Sequence, residues 1–205
     1  TKDKQKLLKY PKIQRFILSQ FVSELSNLKT DSKLEKLGEI VDEIFQANPN
    51  EKVIIFVQFK DTLRFIKKFL LKKKLKVYEF HGDLNIDQKN ESVAQFKDQG
   101  HVLLSTEIGG EGRNFQFCHI LINYDLPWNP TKVMQRVGRI NRVGTEHDRI
   151  FVFNFFPTAQ ANVHLPLEQN ILIKIQAFHD TLGEDFKYLS DSEEVSSHNI
   201  YKRLT

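Results

Sequence analysis

The sequence predicts an α/β fold: a doubly wound, mainly parallel sheet with helices on both faces. Three observations predict it. Val53-Ile54-Ile55-Phe56-Val57 is a continuous apolar run rich in β-branched residues, the pattern of a strand buried on both faces. Similar short runs recur along the chain and alternate with amphipathic helical segments, which argues for parallel pairing through helical crossovers. Hydrophobic residues make up 40% of the 205 and charged residues 27%, enough for a sizeable core and too apolar for general disorder.

The elements follow in order. Residues 1–15 are basic, and a helix starting at Pro11 is expected to run to about Leu28. Thr30, Asp31 and Ser32 supply N-cap chemistry for a helix whose apolar positions are Leu34, Leu37, Val41, Ile44 and Phe45. After the run at 53–57, Leu63, Ile66, Phe69 and Leu70 mark a second helix, and Lys76 to Phe80 a second strand. Asn85 to Lys97 reads as a helix capped by Asp83 or Asn85, followed by a strand at Val102 to Ser105. Ile120 to Tyr124 is a fourth strand, Pro130 to Asn141 a helix and Arg149 to Phe155 a fifth strand. A last helix is expected over 166–182, between Pro166 and Gly183, with a polar tail beyond it.

Composition excludes several classes of function. One cysteine, Cys118, permits no intrachain disulfide, and the seven histidines do not fall into metal-ligand spacing, so no resident metal is expected. The longest stretch without Asp, Glu, Lys or Arg, 150–167, carries Asn154, Pro157, Gln160 and Asn162, a poor membrane span. No signal peptide is visible at the charged start, and a cytoplasmic protein without membrane attachment is expected. A net charge of +4 is too weak by itself to argue for nucleic acid. The first residue is Thr, which suggests a piece of a longer protein.

Ligands of such sheets gather beyond the carboxyl ends of the strands. Three segments are expected there: Gln58-Phe59-Lys60, Ser105 to Asn114, and Gln135 to Arg142. On a helical wheel Gln135, Arg136, Arg139 and Arg142 share an arc of about 120°, with Val133, Val137 and Ile140 opposite. Guanidiniums from one face suit phosphate oxygens. A solvated basic face that binds nothing is the alternative, but the stretch 130–145 holds no acid to pair with them. The glycines at 109, 110 and 112 allow close backbone approach to a ligand or simply a flexible loop. The pattern G-x-x-x-x-G-K-[ST] occurs nowhere. His81 closes a strand, where a structural histidine is the commoner case.

Together, in this order, these segments resemble the second RecA-like domain of superfamily 2 helicases, in particular the Swi/Snf-type branch and its bacterial RNA-polymerase-recycling ATPases. Gln135-Arg136-Val137-Gly138-Arg139-Ile140-Asn141-Arg142-Val143-Gly144 is similar to motif VI, Q-R-x-G-R-x-x-R-x-G. Ser105 to Asn114 resembles motif V, Val53 to Phe59 motif IV, and His81-Gly82-Asp83 the short motif after it. Thr145 departs from the Gln that often ends motif VI, and Arg113 from the Leu of many eukaryotic relatives.

The resemblance implies a helicase domain over 31–157, preceded by a basic lead-in at 1–30 and followed by a helical appendage at 158–205. It implies that Arg139 and Arg142 are arginine fingers for ATP held with Mg²⁺ on a first RecA-like lobe of the same polypeptide. Gln135 and Arg136 would hold their helix in register at the nucleotide, and Gly112 and Asn114 would face its ribose. Gln58, His81, Gly82, Thr106 and Gly109 would lie along a nucleic-acid backbone, duplex DNA being the favoured form. The chain carries neither the phosphate loop nor the Walker-B acid of a complete motor, so it is not expected to hydrolyse ATP alone. The alternative is a non-catalytic module on the same fold that binds nucleic acid or a partner.

Overall fold

The computed structural model describes residues 18–20, 31–106, 114–127, 129–141, 147 and 149–156. The chain divides into two compact units, Thr1–Glu39 and Ile40–Thr205. In the first unit residues 18–20 are helical, and Asp31 Oδ1 accepts the Leu34 N–H at 3.0 Å to start a helix. That helix, α1, spans Ser32–Ala47.

The rest alternates as expected: β1 (Val53–Val57), α2 (Lys60–Lys72), β2 (Val77–Phe80), α3 (Ile86–Gln99), β3 (Val102–Thr106), β4 (Ile120–Asn123), α4 (Pro130–Ile140) and β5 (Phe151–Asn154). All pairings are parallel, in the order β2-β3-β1-β4-β5. This is the α/β class of RecA-like lobes. Strands β1, β3 and β4 are buried along their whole length, the burial expected of central strands in a parallel sheet, and β3 and β4 carry it through to polar ends at Ser105, Thr106 and Asn123.

Right-handed crossovers decide which face each helix covers. The step from β1 to β2 runs one way across the sheet, and the steps β2 to β3 and β4 to β5 run the other. Accordingly Phe96 of α3 and Ile140 of α4 share one core cluster with Ile54, Phe56, Leu103 and Leu121. The buried side chains of α2, Leu63, Ile66 and Leu70, lie outside that cluster. Cys118 is buried in the same cluster, its Sγ 3.0 Å from the Lys52 carbonyl, and burial pushes its thiol up to about 12.

Local chemistry fixes the ends. Of the two candidate caps for α3, Asn85 serves: its side chain accepts the Gln88 N–H at 2.8 Å and Gln88 reaches back to the Asn85 N–H at 3.0 Å. Helix α2 ends with Lys74 at φ 62°, its N–H on the Leu71 carbonyl and the Leu75 N–H on that of Leu70. The fifth strand is shorter than its apolar run suggests, and Phe151 and Val152 are 48% and 36% exposed, because β5 lies at the end of the strand order. Most of the helix expected at 11–28, and the whole of that at 166–182, lie outside the described residues. Among the described residues no helix is long and apolar enough to cross a membrane.

Candidate functional site

Strand β4 ends in a polar residue, Asn123, that is fully buried. A buried amide has to be hydrogen-bonded, and helix α4 supplies the partner. Arg136 Nη1 donates to Asn123 Oδ1 at 2.6 Å and to the Asp125 carbonyl at 3.1 Å. Its guanidinium carbon stands 4.8 Å from the centroid of the Phe56 ring. Asn123 Nδ2 in turn donates to Asn154 Oδ1 of β5 at 2.7 Å. A planar, weakly hydrated cation suits this place, with oxygen acceptors at its edge and an aromatic face below.

Arg136 therefore does not share one solvent-facing row with Gln135 and Arg139. It is only 3% exposed, alongside buried Val133, Val137 and Ile140. The physical reason lies in the spacing. Position 136 is three residues after Val133 and four before Ile140, so it borders the apolar stripe as closely as it borders the arginine arc. Gln135 is exposed and Arg139 half-buried.

Helix α4 starts beyond the carboxyl end of β4 and runs back over the sheet, since β5 is parallel to β4. Arg136 thus stays at the carboxyl edge, while Ile140 reaches the cluster containing Leu121 and Phe115. Arg139 lies one turn further along the helix, where its carbonyl accepts the Phe115 N–H at 2.9 Å. This bond ties the segment after the glycine loop to the arginine helix. Asn114, next to Phe115, is exposed and accepts the Gln116 N–H at 3.2 Å. The N-terminus of α4 is capped by Asn129, which accepts the Thr131 N–H at 3.0 Å.

Of the candidate nucleic-acid residues, the described ones, Gln58, His81, Gly82 and Thr106, fall at the carboxyl edge. Gln58 is exposed just after β1, and its N–H donates to Asp125 Oδ2 at 2.9 Å. His81 is half-buried and Gly82 exposed after β2, with His81 Nδ1 accepting the Asp83 N–H at 3.3 Å. Thr106 ends β3 and is buried. An ion pair between Lys60 and Asp83 joins the first residue of α2 to the turn after β2. The hydrogen bond from Lys60 holds the Asp83 carboxyl below its usual range. Gly109, Gly112 and Arg142 lie outside the described residues.

Sequence reasoning gave no role to Asn123, to Asn154 or to Asp125, although the stretch 124–130 shares in the family likeness. The available signal was Asn123 itself, a polar side chain closing an otherwise apolar strand. The donor set of α4 fits an anion better than a cation. Among the described residues no group of three His, Cys, Asp or Glu side chains could hold a metal ion.

Comparison with known proteins places this arrangement. Residues 32–144, more than half of the chain, match the model of the helicase conserved C-terminal domain. The chain belongs to that family. This helicase C-terminal domain is 32% identical over 180 residues to the "uncharacterized ATP-dependent helicase YqhH" of Bacillus subtilis strain 168, covering 88% of this chain and 31% of that protein. It is 39% identical over 120 residues to the RNA polymerase-associated protein RapA of Serratia proteamaculans strain 568, covering 56% of this chain and 12% of RapA. The resemblance to superfamily 2 helicases of the Swi/Snf type is thereby established. The chain spans less than a third of the length of these curated relatives. The C-terminal part of the Fun30 ATPase domain shares the fold, with a TM-score of 0.61 at 19% identity over 77% of this chain and 54% of the other. So does S. cerevisiae Dbp5 bound to RNA and ADP BeF3, with a TM-score of 0.54 at 22% identity over 68% and 36%.

Proposed function

We propose that this helicase C-terminal domain is the second motor lobe of an ATP-dependent DNA helicase or translocase. The observation that supports the reading is the seating of α4: Arg136 is buried against the end of β4, which sets the helix at the carboxyl edge of the sheet with half-buried Arg139 one turn on. A first RecA-like lobe would hold ATP and Mg²⁺, and closure of the cleft would bring Arg139 and Arg142 to the γ-phosphate. A guanidinium there stabilises charge on the transferring phosphoryl group. Gln135, Gly112 and Asn114 would complete this wall of the nucleotide pocket, with Arg136 fixing the helix behind it.

Gln58, His81, Gly82, Thr106 and Gly109 would follow the backbone of the nucleic acid. Contacts of this kind bind without reading sequence and weaken steeply with salt. ATP-driven closure would then move one strand-binding edge relative to the other lobe. Duplex DNA is the proposed track, supported by the Swi/Snf-type relatedness.

The test compares this chain alone with the chain joined to its first lobe. ATP hydrolysis is expected only in the joined protein, with stimulation by duplex DNA that fades as salt rises. Hydrolysis by the chain alone, or activity indifferent to nucleic acid, contradicts the proposal.

A further inference from the structure

We infer that Asp125 is a positioning residue that locks the loop after β1 to the arginine helix, so that the nucleic-acid edge and the nucleotide wall move as one body. The inference rests on the motor-lobe reading above and names a residue that neither surface contains. Asp125 makes a separate bond from each part of its structure. Its N–H donates to the Phe56 carbonyl at 3.2 Å, its carbonyl accepts from Arg136 at 3.1 Å, and its carboxylate accepts the Gln58 N–H at 2.9 Å. One residue therefore spans the ends of β1 and β4 and the side of α4.

A side-chain oxygen that accepts the Gln58 N–H is what the loop needs. The next residue, Phe59, stands at the N-cap of α2 with no side-chain cap of its own. The bond from Gln58 to Asp125 thus helps fix the way the chain enters α2. A carboxylate accepting a backbone N–H is a charge-assisted bond, stronger than a neutral one. The Lys60–Asp83 ion pair carries the constraint on to the loop with His81 and Gly82. The other anchors of α4, Asn123 and Phe56, do not involve the Asp125 side chain. Removing the carboxylate takes away the bond to the Gln58 N–H, while the bonds of Arg136 to Asn123 Oδ1 and to the Asp125 carbonyl need no Asp125 side chain.

The experiment uses the complete two-lobed polypeptide and reads the duplex DNA concentration that half-saturates ATP hydrolysis. Asp125→Ala is expected to raise it about fivefold or more, the scale of an ordinary coupling between sites. Asp125→Asn keeps an oxygen that accepts the Gln58 N–H and is expected to stay within about twofold of the native protein. An unchanged value in Asp125→Ala overturns the inference, as does equal impairment in Asp125→Asn. Arg139→Ala, measured alongside, separates the two claims: if it leaves hydrolysis intact, the motor-lobe reading fails. If it abolishes hydrolysis and Asp125→Ala behaves as native, only the Asp125 inference fails. Should Asp125→Ala not fold, amide exchange in the native protein decides. Exchange at Gln58 about tenfold or more slower than in an unstructured chain supports the bond, and exchange at the unstructured rate overturns it.

Discussion

Arg136 lies over the ring of Phe56, its guanidinium carbon 4.8 Å from the ring centroid, while the same guanidinium holds Asn123 at 2.6 Å. The arginine helix α4 is thus joined to the sheet by a buried cation. Removing it leaves a cavity and strips Asn123 of a donor. Arg136→Ala is expected to lower stability by about 2–3 kcal/mol in urea unfolding. Arg136→Lys restores charge but not the planar fork, and should recover only part of the loss. A midpoint unchanged in Arg136→Ala would show that the seat does not depend on this side chain.

Gly138 points the other way. It sits inside α4, and a Cβ placed on it would meet nothing within 4 Å. A helical glycine with open space beside it costs the helix about 0.5–1 kcal/mol relative to alanine. Gly138→Ala should therefore stabilise this chain by about that amount. In the two-lobed protein the same change should reduce hydrolysis, if the space is kept for the ATP-bearing lobe. Loss of stability in the chain alone would mean that the fold itself requires the glycine.

His101 makes stability depend on pH. Its Nδ1 accepts the Lys76 N–H at 2.9 Å, which only the unprotonated nitrogen can do. Burial first, then the charges of Lys76 and Lys52, hold it below the ordinary histidine value of 6.5. His119 is lowered as well, again mainly by burial. The folded chain binds these protons less readily than the unfolded chain. Stability is therefore complete above pH 6.5 and falls as pH drops through the lowered values. His101→Gln should flatten the decline in unfolding free energy between about pH 7 and pH 5. An identical pH profile in the variant would exclude His101 as a source.

Most of the fold was legible because buried parallel strands leave few choices. Val53 to Val57 reads as a continuous apolar run and Val102 to Ser105 and Ile120 to Tyr124 as short strands, and each gave a central strand of the sheet. The strand order was not legible, since pairing of distant runs leaves no periodic trace. Phe151 and Val152, within the expected fifth strand, lie partly exposed because that strand stands at the end of the order.

The candidate site was legible as a set of segments and less so as a geometry. A helical wheel sorts residues by charge and places Arg136 with Arg139, whereas burial follows available acceptors. Asn123 and the Asp125 carbonyl are supplied by a strand thirteen and eleven residues away. Only the folded sheet brings them under α4. The contact of Asp125 was not legible because it reaches Gln58, sixty-seven residues back in the chain.

Single-turnover ATP hydrolysis by Arg139→Ala in the complete polypeptide, with ATP binding measured in parallel, tests the central claim most directly. The account predicts that binding of ATP is largely kept while the hydrolytic step slows by about 10³-fold or more. A hydrolytic step as fast as in the native protein would contradict it.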